Sequence, residues 1–229
     1  MKRQNYSYVG ISLVILIFGI YFIPKIINRI MNGEVVDKDR HQLEHNLGEK
    51  KSNLAVIGKV PAFQFLDQHN DTITDDTYKG KVYVAEFFFT TCPSICPIMN
   101  QNMLKVEEAF QGNNEIGIAS FTINPDYDTV AVLNEYAEKY GMTHPNWHLL
   151  TGDRNAIFDL ANTGFNLYVG AAENVEGGFE HSGFFALIDQ NGNIRSRKDE
   201  NQNPIIYYDG LEDSGIKMLI EDIKILLKS

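Results

Sequence analysis

Cysteine is scarce in this chain. Two in 229 residues exclude a disulfide-stapled scaffold, and because both lie beyond position 91 no thiol near the N-terminus offers a site for lipid attachment. Positive charge is scarce as well. Lys2, Arg3, Lys25 and Arg29 stand in residues 1–30 beside no acid, and the remaining 199 residues carry 16 basic against 30 acidic groups, a net of −14. Such a surface repels a phosphate backbone, so nucleic acid is not an expected partner. There is no internal repeat and no low-complexity run. Hydrophobic residues at 44% and charged residues at 22% describe an ordinary globular composition, which excludes a fibre, a fully disordered chain and a multi-span membrane protein. The length suits one good-sized domain with extensions.

Only one long hydrophobic run occurs. From Gln4 to Pro24 there are 21 residues without a formal charge, and Tyr8 to Ile23 is almost purely apolar. As a helix this stretch reaches roughly 30 Å, about the hydrocarbon thickness of a bilayer. The run is longer than a signal peptide requires, and Ile23-Pro24-Lys25-Ile26-Ile27 follows it where a small-x-small cleavage site would stand. Residues 1–30 are therefore expected to form a short N-terminus and one uncleaved transmembrane helix. Basic residues on both sides leave its orientation open by charge alone. Residues 31–57, rich in charge and amide groups, read as a polar tether. A helix around 39–47 would bring His41 and His45 to one face, but nothing nearby supplies a third ligand, and solvated side chains are the better reading.

From residue 58 to 229 the pattern changes to short β-branched and aromatic runs alternating with helical periods, the mark of an α/β or α+β domain. Residues 63–66 and 72–74 predict a hairpin. The nearly continuous apolar run from Val82 to Phe89 predicts a central strand covered on both faces. Further strands are expected over 116–123, 147–150, 184–188 and 194–197, the last two joined by an Asn191-Gly192 turn. Helices are expected over 98–110, 129–140, 154–161 and 214–227. The result is a mixed sheet flanked by helices.

The chemistry concentrates where the central strand ends, in Thr90-Thr91-Cys92-Pro93-Ser94-Ile95-Cys96-Pro97. Pro97 suits the start of a helix, which puts Cys96 at a helix N-terminus and lets Cys92 fold over from the loop. The dipole and free N–H groups there favour thiolate, so both sulfurs are expected to be more acidic than a free cysteine. Such a pair serves either reversible disulfide exchange or the binding of a soft metal.

The stretch 84–97 with its Cys-Pro-Ser-Ile-Cys-Pro resembles the Sco/SenC family of thioredoxin-like copper proteins. Three further blocks agree in order: Phe121-Thr122-Ile123-Asn124-Pro125-Asp126-Tyr127-Asp128-Thr129, Trp147-His148-Leu149-Leu150-Thr151-Gly152, and Glu180-His181-Ser182-Gly183-Phe184. The resemblance covers residues 60–227. A thioredoxin or related reductase would space its cysteines by two residues, and a peroxiredoxin would lack the second. The resemblance implies a thioredoxin-like sheet, a copper site made by Cys92, Cys96 and His181, and a membrane-anchored metallochaperone that helps mature the dicopper centre of cytochrome c oxidase. It implies as partners the dicopper-bearing subunit of a haem-copper oxidase and other copper carriers or thiol reductants. The domain would face the bacterial periplasmic side or, alternatively, the mitochondrial intermembrane space. A membrane-tethered thiol:disulfide oxidoreductase acting through Cys92 and Cys96 is the alternative, and a peroxide reductase a third reading.

Neighbouring residues are weighed on the same terms. Met99 and Met103 at i, i+4 read as core filler, and His144 and His148 as packing. Glu86 interrupts an apolar strand, facing either the interior with a raised pKa or solvent. Asn124 stands where the family carries an Asp, which puts any charge-dependent role there in doubt; Asp126 and Asp128 remain as nearby acids.

Overall fold

The computed structural model describes residues 7–31, 52–172 and 178–229, with side chains of the first segment described for 11–24. The chain divides into two compact units, Met1–Glu49 and Lys50–Ser229. In the first, helix α1 runs over Ser7–Met31 with Pro24 inside it. The described side chains from Ile11 to Ile23 are apolar and exposed at nearly every position. The expected transmembrane helix is thus a helix, but among the described residues none is long and apolar enough to cross a membrane. His41 and His45 lie outside the described residues.

The second unit is built on a mixed seven-stranded sheet. Its strands are β1 (Ala55–Lys59), β4 (Val82–Phe88), β5 (Ile116–Thr122), β6 (Trp147–Leu150), β9 (Phe184–Ile188), β10 (Asn193–Ser196) and β11 (Tyr208–Asp209). The order is β1-β10-β9-β4-β5-β6, with β11 on β9. Strands β4, β5 and β6 are parallel, while β9 meets β4 antiparallel. Every residue of β4 and of β5 is buried, as expected of strands covered on both faces. The predicted hairpin is β2 (Gln64–Leu66) with β3 (Thr72–Thr74). It is latched to the end of β6 by a reciprocal backbone pair between Leu66 and Thr151 at 3.0 and 2.9 Å. The β9–β10 turn uses Gly192 at φ 77°, a left-handed conformation for which glycine is suited. Four strands lie outside the sequence expectation, β11 on β9 among them. Strand β1 takes up the last residues of the segment read as tether, and β7 (Val169–Ala171) with β8 (Phe179–His181) forms a separate antiparallel pair.

The helices are α2 (Cys96–Ala109), α3 (Val130–Tyr140), α4 (Arg154–Asp159, continued by a π turn to Gly164) and α5 (Asp213–Leu226). Alternation along β4 sends successive aromatics to opposite layers. Phe87 stacks on Phe121 at 5.3 Å and meets Phe165, whereas Phe88 faces Tyr136 of α3 at 5.7 Å. Helix α2 lies in the Phe88 layer. Its Asn100 amide donates to the Tyr136 hydroxyl, and its Lys105 pairs with Asp213 of α5 at 2.7 Å. Met99 and Met103 are fully buried on the inner face of α2, in keeping with their reading as filler. The site therefore sits where β4 runs out and α2 begins, at the carboxyl edge of the parallel strands.

Candidate metal centre

Cys96 is the first residue of α2 and Pro97 the second, where the missing proline N–H leaves no helical bond unmade. Ile98 N–H and Met99 N–H both donate to Ile95 O at 3.0 Å, so the first turn is tight. The Cys96 side chain is completely buried and that of Cys92, in the preceding loop, nearly so. Both thiols are free. His181 arrives from the other side of β4. It closes β8, paired in register with Val169 of β7, and its ring meets the edge of Phe89 at 5.8 Å, which packs in turn on Phe179. Gly183 follows it, and a Cβ there would come within 2.9 Å of Leu211. The close approach allowed by that glycine packs the segment after His181 against the Gly210–Leu211 turn, with Gly210 N–H donating to Gly183 O at 2.7 Å.

The ligand atoms of Cys92, Cys96 and His181 all lie within 4.8 Å of one another. The His181 Nε2 is 3.3 Å from Cys96 Sγ, and its Nδ1 is 3.1 Å from Ser182 O. A carbonyl can only accept, so Nδ1 donates to Ser182 O, and Nε2 is the ring nitrogen that faces the sulfurs. Among the described residues this is the one cluster of three such donors.

The two sulfurs are not equivalent. Cys92 is pushed down to about 3 by a hydrogen bond from Cys96, helped by His181 and by the backbone N–H groups of Cys96 and Ser94, against the effect of burial. Cys96 is pushed far up, first because it holds the proton shared with Cys92 and then because it is buried. The expectation that both would be more acidic is thus corrected. A single thiolate takes the helix-terminus donors, and the deeper thiol serves as its proton donor. That is a nucleophile with a partner in reach, or two soft ligands that give up one further proton when a metal binds.

Glu86 faces the interior, which settles the choice left open by the sequence. It is fully buried; Ser120 Oγ donates to one carboxylate oxygen at 2.7 Å, while Oε2 has no partner. Burial raises its pKa to about 7 despite that hydrogen bond. His144 is buried and bonded at 3.1 Å to Asn113 O, and His148, on β6, pairs with Asp67 at 2.8 Å. Both hold the scaffold together and neither joins the thiols. Asn124 keeps the loop's backbone turn, its N–H donating to Thr122 Oγ1 at 3.1 Å. Asp126 pairs with Arg154 at 2.5 Å in a largely exposed position, where such a bridge adds little.

Comparison with known proteins bears directly on this geometry. The SCO1/SenC family model matches residues 53–214, well over half of the chain. The chain belongs to the SCO1/SenC family. Among solved Sco structures, a SCO1/SenC family lipoprotein from Bacillus anthracis superposes with a TM-score of 0.65 at 31% identity, over 74% of this chain and 95% of that one. BsSco, described with a disulfide switch and as a member of the Sco family of cytochrome c oxidase assembly proteins, gives 0.61 at 26% identity, over 75% and 95%. ScoI of Bradyrhizobium japonicum, solved with copper bound, shares the fold with a TM-score of 0.58 at 22% identity, over 73% and 99%. The thioredoxin-like mixed α/β architecture expected from the sequence is the architecture of this family.

Proposed function

We propose that this Sco protein is a copper metallochaperone, taking copper as its cargo through Cys92, Cys96 and His181 and helping to mature the dicopper centre of cytochrome c oxidase. The observation that carries the reading is the convergence of two sulfurs and one imidazole nitrogen within 4.8 Å. Two thiolates and an imidazole form a soft, low-coordinate donor set that suits Cu(I) and also accommodates Cu(II). The copper held by ScoI and the assembly role stated for BsSco support the same reading.

The partner in this account is the dicopper-bearing subunit of a haem-copper oxidase, with copper carriers or thiol reductants upstream. Residues 1–30 are the membrane anchor, and the polar segment from residue 31 is the tether, ending where β1 (Ala55–Lys59) joins the sheet. The uncharged run from Gln4 to Pro24 in the sequence, about as long as a helix that crosses a bilayer, supports a single span. The domain then stands on the extracytoplasmic face, periplasmic in a bacterium, where oxidase copper is inserted.

A second reading, a tethered thiol:disulfide oxidoreductase, is favoured by one specific observation, the acidic Cys92 with Cys96 as its proton donor. Dithiol exchange needs only the cysteines, whereas stable copper binding also needs the imidazole. Copper titration of the wild type and His181→Ala separates the two. Loss of the bound equivalent in the variant, with reduction of a disulfide substrate retained, supports the chaperone. Unchanged affinity and spectrum in His181→Ala overturns the ligand assignment.

A further inference from the structure

The two cysteines are held in different ways. Cys96 is fixed by the first turn of α2, but Cys92 stands in the stretch between β4 and α2, and its own N–H donates only to Phe89 O, three residues back, at 3.2 Å. Apart from the contact of Cys92 with His181 inside the site itself, the long-range hydrogen bonds that brace this stretch run from Thr90 to Asp128. Thr90 N–H donates to Asp128 Oδ2 at 3.1 Å, and Thr90 Oγ1 donates to Asp128 Oδ1. Thr122 Oγ1, at the end of β5, donates to the same carboxylate, and Thr122 in turn accepts from Asn124 N–H at 3.1 Å. Asp128 is completely buried. A carboxylate withdrawn from water persists only where donors replace its hydration, and three of them here come from the exits of two adjacent parallel strands. The backbone completes the brace: Tyr127 N–H and Asp128 N–H both donate to Asn124 O, at 3.1 and 2.9 Å.

We propose that Asp128 is a positioning residue for the copper site, acting through Thr90 to hold the Cys92 sulfur at the distance from Cys96 and His181 at which all three meet one metal ion. The inference rests on the copper reading above and extends it to a residue that touches neither sulfur nor metal. Asp126, two residues away, bears the same charge but points to Arg154 at the surface, so the role belongs to the buried hydrogen bonds and not to negative charge near the site.

The test uses the reduced full chain and three variants: Asp128→Asn, Thr90→Val and, as a charge control, Asp126→Asn. Cu(I) affinity is measured by chelator competition, the Cu(II)–thiolate absorption and EPR spectra are recorded, and the thermal midpoint is followed without metal. Asp128→Asn and Thr90→Val are each expected to weaken Cu(I) binding by roughly 10- to 100-fold, the usual cost of losing a group that orients a metal ligand, and to shift the Cu(II)–thiolate band. Their combination should cost little more than the worse of the two, since both act through one brace. Asp126→Asn should match the wild type. If Asp128→Asn fails to fold, Thr90→Val, which keeps the residue's shape and N–H, carries the test alone. A lower thermal midpoint with affinity and spectra unchanged would overturn the positioning role. Absence of copper binding in the wild type would overturn the copper reading itself, a different outcome from equal binding in every variant.

Discussion

Replacing Glu86 by Gln should stabilise the protein in a strongly pH-dependent way. The carboxyl is fully buried in β4, with one oxygen accepting from Ser120 and the other unpartnered. Burial moves its pKa from an ordinary 4.5 to about 7 in the folded state. An acid whose folded pKa lies above its unfolded value binds its proton more tightly when folded. Stability is therefore greatest below the unfolded pKa and is lost as pH rises toward the folded one. The gap between 4.5 and about 7, at 1.36 kcal/mol per unit, makes the loss on the order of 3 kcal/mol, complete a little above pH 7. Gln keeps the shape and a partner for Ser120 but does not titrate, so the difference between the two proteins isolates this one group. Urea unfolding of metal-free, reduced wild type and Glu86→Gln at pH 5, 6, 7 and 8 reads it directly. The variant should gain on the wild type by roughly 2 to 3 kcal/mol across that range. Parallel stability profiles would refute the claim that Glu86 is buried with its charge unmet.

Two further predictions follow from the same geometry. In the reduced protein at pH 6, iodoacetamide should label Cys92 well before Cys96, because Cys92 holds the thiolate and Cys96 the shared proton; peptide mass spectrometry after brief labelling reads the order, and equal rates would contradict it. Arg197→Met should destabilise the fold by about 3 to 5 kcal/mol, since Asp222, almost wholly buried, accepts from Arg197 Nε at 2.8 Å and Nη2 at 2.9 Å and would be left without its counter-charge; a loss below about 1 kcal/mol in urea would place this pair among the weak surface bridges.

Much of this arrangement was legible in the residues. The apolar run of β4 predicted a central strand, and the structure buries all of Val82–Phe88 between β5 and β9. The Cys-Pro-Ser-Ile-Cys-Pro spacing pointed to a loop and a helix N-terminus, and that is where the thiols stand. What escaped the sequence depends on contacts far along the chain. Strand β1 has no buried residue among its five, so its period is too weak to see until Asn193–Ser196 supplies the partner. Strands β7 and β8 are three residues each and pair only with one another. The inequality of the two sulfurs arises from which of them holds the shared proton, something spacing cannot report. Asp128 read as one acid among several because nothing local says that its oxygens face Thr90, 38 positions away. Glu86 was undecided for the same reason: that β4 lies between β5 and β9, with no open side for a carboxylate, is set by pairings made far along the chain.

The most direct test of the central claim is X-ray absorption at the copper edge of the reduced protein loaded with one equivalent of Cu(I). The account predicts a first shell of two sulfurs and one imidazole nitrogen, with one sulfur lost in either cysteine-to-serine variant and the nitrogen lost in His181→Ala. A shell of nitrogen and oxygen alone, or one that all three substitutions leave unchanged, would contradict it.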